Sequence, residues 1–243
     1  HSGIYGGGVA NAARATAKVA STFHDANGKV AVAGFYDKVR PITEQEAADI
    51  EAVPFDQEGF LGSIGVTVPT GEADYTTLER LWMRPTLDIN GIWSGFQGDG
   101  SKTVTPAQGH IKVTCRLVPD QDSDEINGLI RTHVEKHLPE GARAEFSLTK
   151  GNARPFSISR ENPFMVAAAK TLREVQGKDP VYVRTGGTIP IAEVFKQYLG
   201  AEMIFYAFSL ETCNAHAPNE FFRIEDFQNG TVATVKYLER LAQ

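Results

Sequence analysis

The chain has few cysteines and no long apolar run. Two of its 243 residues are cysteine, Cys115 and Cys213, and neither belongs to a Cys-x-x-Cys pair. We therefore expect no disulfide framework and a reducing compartment, the cytoplasm. No apolar run reaches the roughly 20 residues that a membrane span needs, so a membrane is not an expected partner.

Positive charge is also in short supply. Lys and Arg number 24 against 30 Asp and Glu, which gives a net charge of −6. Nucleic acid is not an expected partner, because phosphate binding needs clustered Lys and Arg. The 42% hydrophobic content is typical of a folded protein, and the length suffices for one large domain or two smaller ones.

Residues 1–153 are predicted to form an α+β domain. Alternating side chains at 110–118 predict a strand that has Ile111, Val113, Cys115 and Leu117 on one face. Together these patterns predict most of a ferredoxin-like unit, with an antiparallel sheet and two helices on one face. The first strand of this unit would precede His1. The other predicted elements are helices at 9–24, 43–51, 73–81 and 123–138, and strands at 29–36, 86–92 and 144–149.

Residues 154–243 are predicted to form an α/β fragment. A helix begins with Asn162 as cap and Pro163 at its first position, and Gly177 ends it. Strands at 181–184 and 203–208 alternate with helices at 191–199 and 231–241. Two strands are too few for a complete doubly wound domain, so we expect that the fragment needs a partner half.

Three local patterns could bind a ligand, and each has a structural alternative. His216 lies in a polar loop after a predicted strand, where it could be a ligand or a surface or capping histidine. Gly187 and Thr188 join a strand to a helix, either to let a substrate approach the backbone or to make a tight turn. Arg116 could bind a carboxylate, or pair with Glu on a solvated sheet face.

The pattern His133-x-x-x-His137 places two imidazoles on one helix face. We do not interpret it as a zinc site, because Glu135 is not at the glutamate position of the metalloprotease pattern. The stretch is instead predicted to be a solvated helix face. His24 and His110 belong to no recognisable constellation.

Seven segments in the same order resemble the zinc metallopeptidase family of cytosolic non-specific dipeptidase and carnosinase. That family also includes acetylornithine deacetylase, succinyl-diaminopimelate desuccinylase and glutamate carboxypeptidase. The segments are His1-Ser2-Gly3 with Tyr5-Gly6-Gly7, Gly34-Phe35-Tyr36-Asp37, Arg84-Pro85-Thr86, Lys102-Thr103-Val104, Arg116-Leu117-Val118-Pro119, Gly186-Gly187-Thr188-Ile189-Pro190 and His216-Ala217-Pro218-Asn219-Glu220.

The resemblance implies a lid that forms a homodimer and a catalytic domain that holds two zinc ions, with manganese as an alternative metal. His216 resembles a metal ligand, and His1 resembles the lid histidine that polarises the scissile carbonyl in the partner's site. Thr103 and Arg116 resemble residues that hold the substrate's C-terminal carboxylate. Gly187 and Thr188 resemble the loop that binds the substrate backbone, where the family often has Ser in place of Thr188.

The family's His-x-Asp motif and Glu-Glu pair do not occur in this sequence. We therefore expect the chain to be the C-terminal part of a dizinc dipeptidase, divided into a lid (1–153) and the end of the catalytic domain (154–243), and to be inactive alone. The alternatives are a deacylase of N-acyl amino acids from the same family and a non-catalytic dimerisation module.

Overall fold

A computed structural model describes residues 1–148, 153–186, 189–210 and 213–242. These residues form two compact units, which are described separately below. Unit 1 comprises His1–Ile50, Pro54–Pro155 and Arg184–Pro190, and unit 2 comprises Glu51–Val53, Phe156–Val183 and Ile191–Gln243. No helix in the described ranges has both the length and the apolar character that crossing a membrane requires.

Helices dominate the described residues. The strands are β1 (Thr86–Ser94) and β2 (Gly109–Arg116). The helices are α1 (Ser2–Tyr5), α2 (Ala12–Ala20), α3 (Glu44–Glu51), α4 (Gln57–Ser63), α5 (Thr77–Met83), α6 (Ser123–His137), α7 (Pro163–Gln176), α8 (Pro190–Leu199) and α9 (Ile224–Leu241).

The sheet of unit 1 is antiparallel, as predicted. Thr86 lies opposite Arg116 and Ser94 opposite Gly109, with a bulge between Ile89 and Gly91. Among the described residues this sheet has two strands, so the ferredoxin-like arrangement is not confirmed. The predicted alternation in β2 is confirmed, because every second side chain contacts the core. These four side chains are Ile111, Val113, Cys115 and Leu117.

Both main helices of unit 1 contribute to one hydrophobic core with the inner face of the sheet. Its most buried members are Phe23, which follows α2, Leu87, which lies in β1, and Phe35, which lies between α2 and α3. Each is at most 2% exposed. Ile126 and Ile130 of α6 pack against the same core. Burial of these side chains is the main force that holds the helices on the sheet.

The predicted strand at 29–36 is wrong. This segment has one isolated bridge, from Val30 to His24, and then turns at Gly34, where φ is 81°. Val32 and Phe35 are nevertheless buried. The alternating pattern therefore reports burial of apolar side chains, whereas a strand also needs a neighbouring backbone to bond with.

Unit 2 packs α7 against α9 through small and buried side chains. Ala168, Thr171 and Ala233 are at most 2% exposed, which lets the two helix backbones approach closely. Asn162 caps α7 as predicted, and Gly177 ends it with a φ of 67°. Of the strand predicted at 144–149, residues 144–148 are described and form no strand, and the strands predicted at 181–184 and 203–208 are also absent from the described residues. Helix α9 begins seven residues before the predicted start at 231.

Candidate functional site

His1 and Thr103 meet although 102 residues separate them in the sequence. His1 precedes α1 and caps it, because its Nδ1 accepts the backbone N–H of Gly3 at 3.0 Å. The other ring nitrogen, Nε2, lies 2.9 Å from Oγ1 of Thr103. The N–H of Ser2 also donates to the Thr103 carbonyl at 3.2 Å, so the backbone and the side chain of Thr103 both contact this corner.

The His1–Thr103 pair is open to solvent. Both residues are exposed, and the strand-free segment that carries Thr103 joins β1 to β2. An imidazole N–H and a hydroxyl are both donors that suit a carbonyl or carboxylate oxygen. The structure therefore brings together two of the predicted site residues where a ligand can approach them.

Arg116 occupies the carboxyl end of β2, on the exposed face of the sheet. The same face carries His110 and Lys112, because side chains two apart on a strand point the same way. The ring of Trp93 stacks on His110 with 4.7 Å between centroids, and the Lys112 ammonium lies 5.5 Å from the Trp93 ring. Arg116 is thus presented on a solvated face that carries both Lys112 and, opposite Thr114, the carboxylate of Asp88. A guanidinium can bind a carboxylate through two parallel hydrogen bonds.

Gly187 and Thr188 lie outside the described residues, but the start of their loop can be placed. Arg184 belongs to unit 1, and its Nη2 donates to Oε1 of Glu46 at 2.7 Å. Arg40 binds the same carboxylate through two hydrogen bonds of 2.7 and 2.8 Å. The Arg40 hydrogen bonds, together with the backbone N–H of Thr43, lower the pKa of Glu46 to about 2 despite its burial.

The Glu46 carboxylate is a feature that the sequence did not reveal. The pattern Thr43-x-x-Glu46 is typical of a capping box, and both of its hydrogen bonds are present. That local pattern predicts the start of α3. It contains no signal for Arg184, which is 138 residues away.

His216 lies in an exposed loop of unit 2, as the sequence predicted. The loop begins where the N–H of Phe221 donates to the carbonyl of Cys213 at 3.1 Å. His216 has a φ of 62°, and Asn214 and Asn219 are also left-handed, at 55° and 62°. Non-glycine residues seldom adopt this region, and those that do are frequent at functional sites.

A metal site cannot be assembled from the described residues alone. In the ranges that the structure describes, no three His, Cys, Asp or Glu side chains are grouped as metal ligands would be. A zinc ion needs about three protein ligands plus water. His216 is therefore a single candidate donor, and the donor set does not fit a two-metal centre by itself.

The prediction that His133 is solvated is wrong. His133 is 7% exposed and extends the buried face of α6 formed by Ile126 and Ile130. Its Nε2 is 2.9 Å from Oγ1 of Thr22, and its ring stacks on Phe23 at 5.6 Å. Burial lowers the pKa of His133, and the nearby His137 lowers it further. Its role is in packing α6 against α2.

Residues 1–142 match the family described as the peptidase dimerisation domain. The chain is 31% identical to the Cys-Gly metallodipeptidase of Candida albicans, over 98% of this chain and 50% of that protein. It is 27% identical to the human Beta-Ala-His dipeptidase, over 100% of this chain and 48% of that protein. The chain thus spans about half the length of these curated relatives.

Comparison with solved structures also finds similarity to peptidases over about half of their chains. An M20 family metallo-carboxypeptidase from Sulfolobus solfataricus aligns with a TM-score of 0.85 and 30% identity, over 98% of this chain and 54% of that one. The di-peptidase Dug1p from Saccharomyces cerevisiae aligns with a TM-score of 0.75 and 30% identity, over 99% of this chain and 50% of that one.

Proposed function

Because this chain belongs to the M20 peptidase dimerisation-domain family, we propose that it is the C-terminal portion of a homodimeric dipeptidase. The observation that carries the proposal is the contact between His1 and Thr103, at 2.9 Å. The two residues belong to separate segments of the sequence, and the family resemblance implies a role in catalysis for His1 and in substrate binding for Thr103. The names of the similar proteins, which describe dipeptidases and a carboxypeptidase, support the same substrate class.

In this proposal residues of the lid and a loop of the catalytic domain bind different parts of a dipeptide. Arg116 and Thr103 bind the free C-terminal carboxylate, and Gly187 and Thr188 bind the backbone. Arg116 forms a charge-assisted contact that is present in both the ground state and the transition state, so its contribution is mainly to binding. Its exposed position at the end of β2 supports this role.

His1 has a different role, because it donates a hydrogen bond to the scissile carbonyl of a substrate in the partner subunit. The carbonyl oxygen gains negative charge as the tetrahedral state forms, so the bond to His1 strengthens during the reaction. The exposure of His1 to solvent supports an action on another subunit.

The complete protein is proposed to hold two zinc ions, with manganese as the alternative, and His216 as one ligand. Such ions supply an activated water for peptide hydrolysis when they are bound. The left-handed loop of His216 supports a functional role for this residue. The remaining ligands would come from outside the described residues, because these contain no group of three donors.

The lid is proposed to comprise residues 1–153. The end of the catalytic domain is proposed to comprise residues 154–243. The division of the chain near Pro155 supports this boundary. A ferredoxin-like sheet in the lid remains part of the proposal, supported by the antiparallel pairing of β1 with β2 and by the packing of α2 and α6 on the core side of that sheet. Cytoplasmic location is supported by two free cysteines, of which Cys115 has a pKa raised to about 12 by burial.

The test compares this chain with the complete gene product that contains it. Each is incubated with Cys-Gly, with β-Ala-His and with an N-acetyl amino acid, in the presence of zinc or manganese. We expect dipeptide hydrolysis by the complete protein and none by the 243-residue chain. Turnover of only the N-acetyl substrate would identify a deacylase. No turnover by a complete protein that dimerises would identify a non-catalytic dimerisation module.

A further inference from the structure

The imidazole of His1 has one tautomer available to it if it is neutral. The backbone N–H of Gly3 can only donate, so Nδ1, which lies 3.0 Å away, must accept. The proton is then on Nε2, which faces Oγ1 of Thr103 at 2.9 Å. The opposite tautomer would set two N–H donors against each other at Gly3.

Gly3 also leaves the space in which the ring lies. A Cβ built at Gly3 would meet Cε1 of His1 at 2.9 Å and Nδ1 at 3.0 Å. Real Cβ atoms essentially never come closer than 3.0 Å to another heavy atom, so alanine at this position would displace the ring. The present position of the ring, with Nδ1 at the Gly3 N–H, therefore leaves no room for a methyl group at residue 3.

Thr103 completes the arrangement from the other side of the ring. Its hydroxyl has one proton and two lone pairs, so a lone pair can accept from Nε2–H while the proton remains free to be donated. The N–H of Ser2 donates to the Thr103 carbonyl at 3.2 Å, which holds the hydroxyl beside the ring. An oxygen ligand at this corner would thus meet the hydroxyl proton directly, and would receive Nε2–H by sharing it with Oγ1 of Thr103 or by replacing Oγ1 as its acceptor.

We propose that Gly3 is a positioning residue that fixes His1 as its Nε2–H tautomer, with Thr103 as the acceptor that orients the ring. The inference rests on the proposed function, since it explains how His1 keeps its donor ready for a carbonyl oxygen. Gly3 acts through its backbone N–H and its missing Cβ, and it does not itself contact the substrate.

The tautomer can be measured in this chain without any substrate. Nitrogen NMR of ¹⁵N-histidine-labelled protein, at a pH where histidine is neutral, distinguishes Nε2–H from Nδ1–H. The His1 signals are assigned by their loss in His1→Gln. We expect Nε2–H to predominate in the parent chain. Gly3→Ala should produce a mixture of tautomers, because the added methyl displaces the ring from the N–H.

Matched variants separate positioning from a general effect on the segment. Gly8→Ala adds the same methyl where its nearest atom is a carbonyl oxygen at 3.5 Å, and it should leave the His1 signals unchanged. Thr103→Val should shift the tautomer ratio, and Thr103→Ser should restore it. Predominant Nδ1–H in the parent, or a Gly3→Ala chain with unchanged His1 signals, would overturn the inference.

The same substitutions in the complete protein connect positioning to catalysis. Gly3→Ala should lower kcat by about tenfold to a hundredfold, because a small misplacement of a catalytic donor is costly, with little change in KM. A changed tautomer with unchanged kcat would support the positioning by Gly3 and count against the proposed role of His1. The two hypotheses can therefore fail separately.

Discussion

The ion pair of Arg84 with Glu72 is the contact in unit 1 whose loss should be most damaging. Nε and Nη2 of Arg84 donate to the two carboxylate oxygens of Glu72 at 3.0 and 2.8 Å. The two side chains are only 9% and 10% exposed. The guanidinium also lies 4.3 Å from the ring of Tyr75 and 5.0 Å from that of Tyr36. Burial, with Glu72 nearby, raises the pKa of Tyr36 to about 12, which agrees with a site that excludes water.

Arg84→Met should destabilise unit 1 by about 3–5 kcal/mol. The substitution preserves much of the apolar stem but leaves the Glu72 carboxylate buried without its partner, which is the costly case for a buried pair. Replacing both residues, in Arg84→Met/Glu72→Met, should recover most of this loss, because a buried ion pair is often worth no more than an apolar pair of similar volume.

Both tryptophans of the chain, Trp82 and Trp93, belong to unit 1, so their fluorescence reports the unfolding of that unit. With a urea m-value of about 2–3 kcal/mol/M, Arg84→Met should lower the midpoint by about 1–2.5 M. Arg80→Met is the matched control. Arg80 donates to the carbonyls of Glu72 and Thr70 at 2.7 and 3.0 Å, so its loss strands no charge and should cost about 1 kcal/mol.

Two results would refute this reasoning. The first is a loss below about 1 kcal/mol in Arg84→Met, because a buried carboxylate without a partner cannot be that inexpensive. The second is a double variant as unstable as Arg84→Met alone, which would show that the loss came from packing and not from the stranded charge.

Further predictions concern acid stability, binding and catalysis. The pKa of Glu46 is about 2 in the folded chain, so its contribution to stability is complete above pH 4.5 and is lost as pH falls towards 2. Glu46→Gln should therefore be about 1–3 kcal/mol less stable at pH 7 by urea unfolding, with a difference from the parent that vanishes between pH 4.5 and 2. In the complete protein, Arg116→Ala should mainly raise KM, at a cost of roughly 2–5 kcal/mol in steady-state assays. His1→Ala should lower kcat by about 10²–10³, and an unchanged kcat would exclude His1 as a carbonyl donor. Mixing His1→Ala with His216→Ala protein should restore part of the activity through mixed dimers. Fully inactive mixed dimers, verified with tagged subunits, would show that His1 does not act across the interface.

Local signals predicted the elements that depend on local contacts. The cap of α7 needs only Asn162, whose side chain accepts from the N–H of Phe164, and its end needs only Gly177. The alternation of β2 is likewise readable, because one face of the strand packs on the core and the other is solvated. In these cases the residues that decide the structure are adjacent in sequence.

Elements that depend on distant contacts were missed or misplaced. α9 begins at Ile224 without a side-chain cap, and Arg223 forms two hydrogen bonds with Asp226 in its first turn. Gly230 lies inside this helix, where a Cβ would come to 3.0 Å from Cδ2 of Phe208. His133 is buried because α6 faces Thr22, 111 residues earlier. The contacts of Gly230 and His133 cannot be read from a local pattern of charge or hydropathy. The Arg223–Asp226 pair, in contrast, is a local charge pattern that the prediction missed.

The candidate site shows the same division. Its functional residue types can be recognised in the sequence, whereas their arrangement in space cannot. A resemblance can single out His1 and Thr103, because an imidazole and a hydroxyl are recognisable functional groups. It does not reveal that they meet at 2.9 Å, since they are 102 positions apart in the sequence. Gly3 has no side chain to suggest a function, and its contribution is a backbone N–H and a space that a methyl group would fill. Fixing a tautomer requires control of the nitrogen that does not face the ligand, and here the backbone supplies that control. A substitution at Gly3 is therefore a sharper test of the site than another removal of His1, because it leaves every functional group present and alters only their alignment.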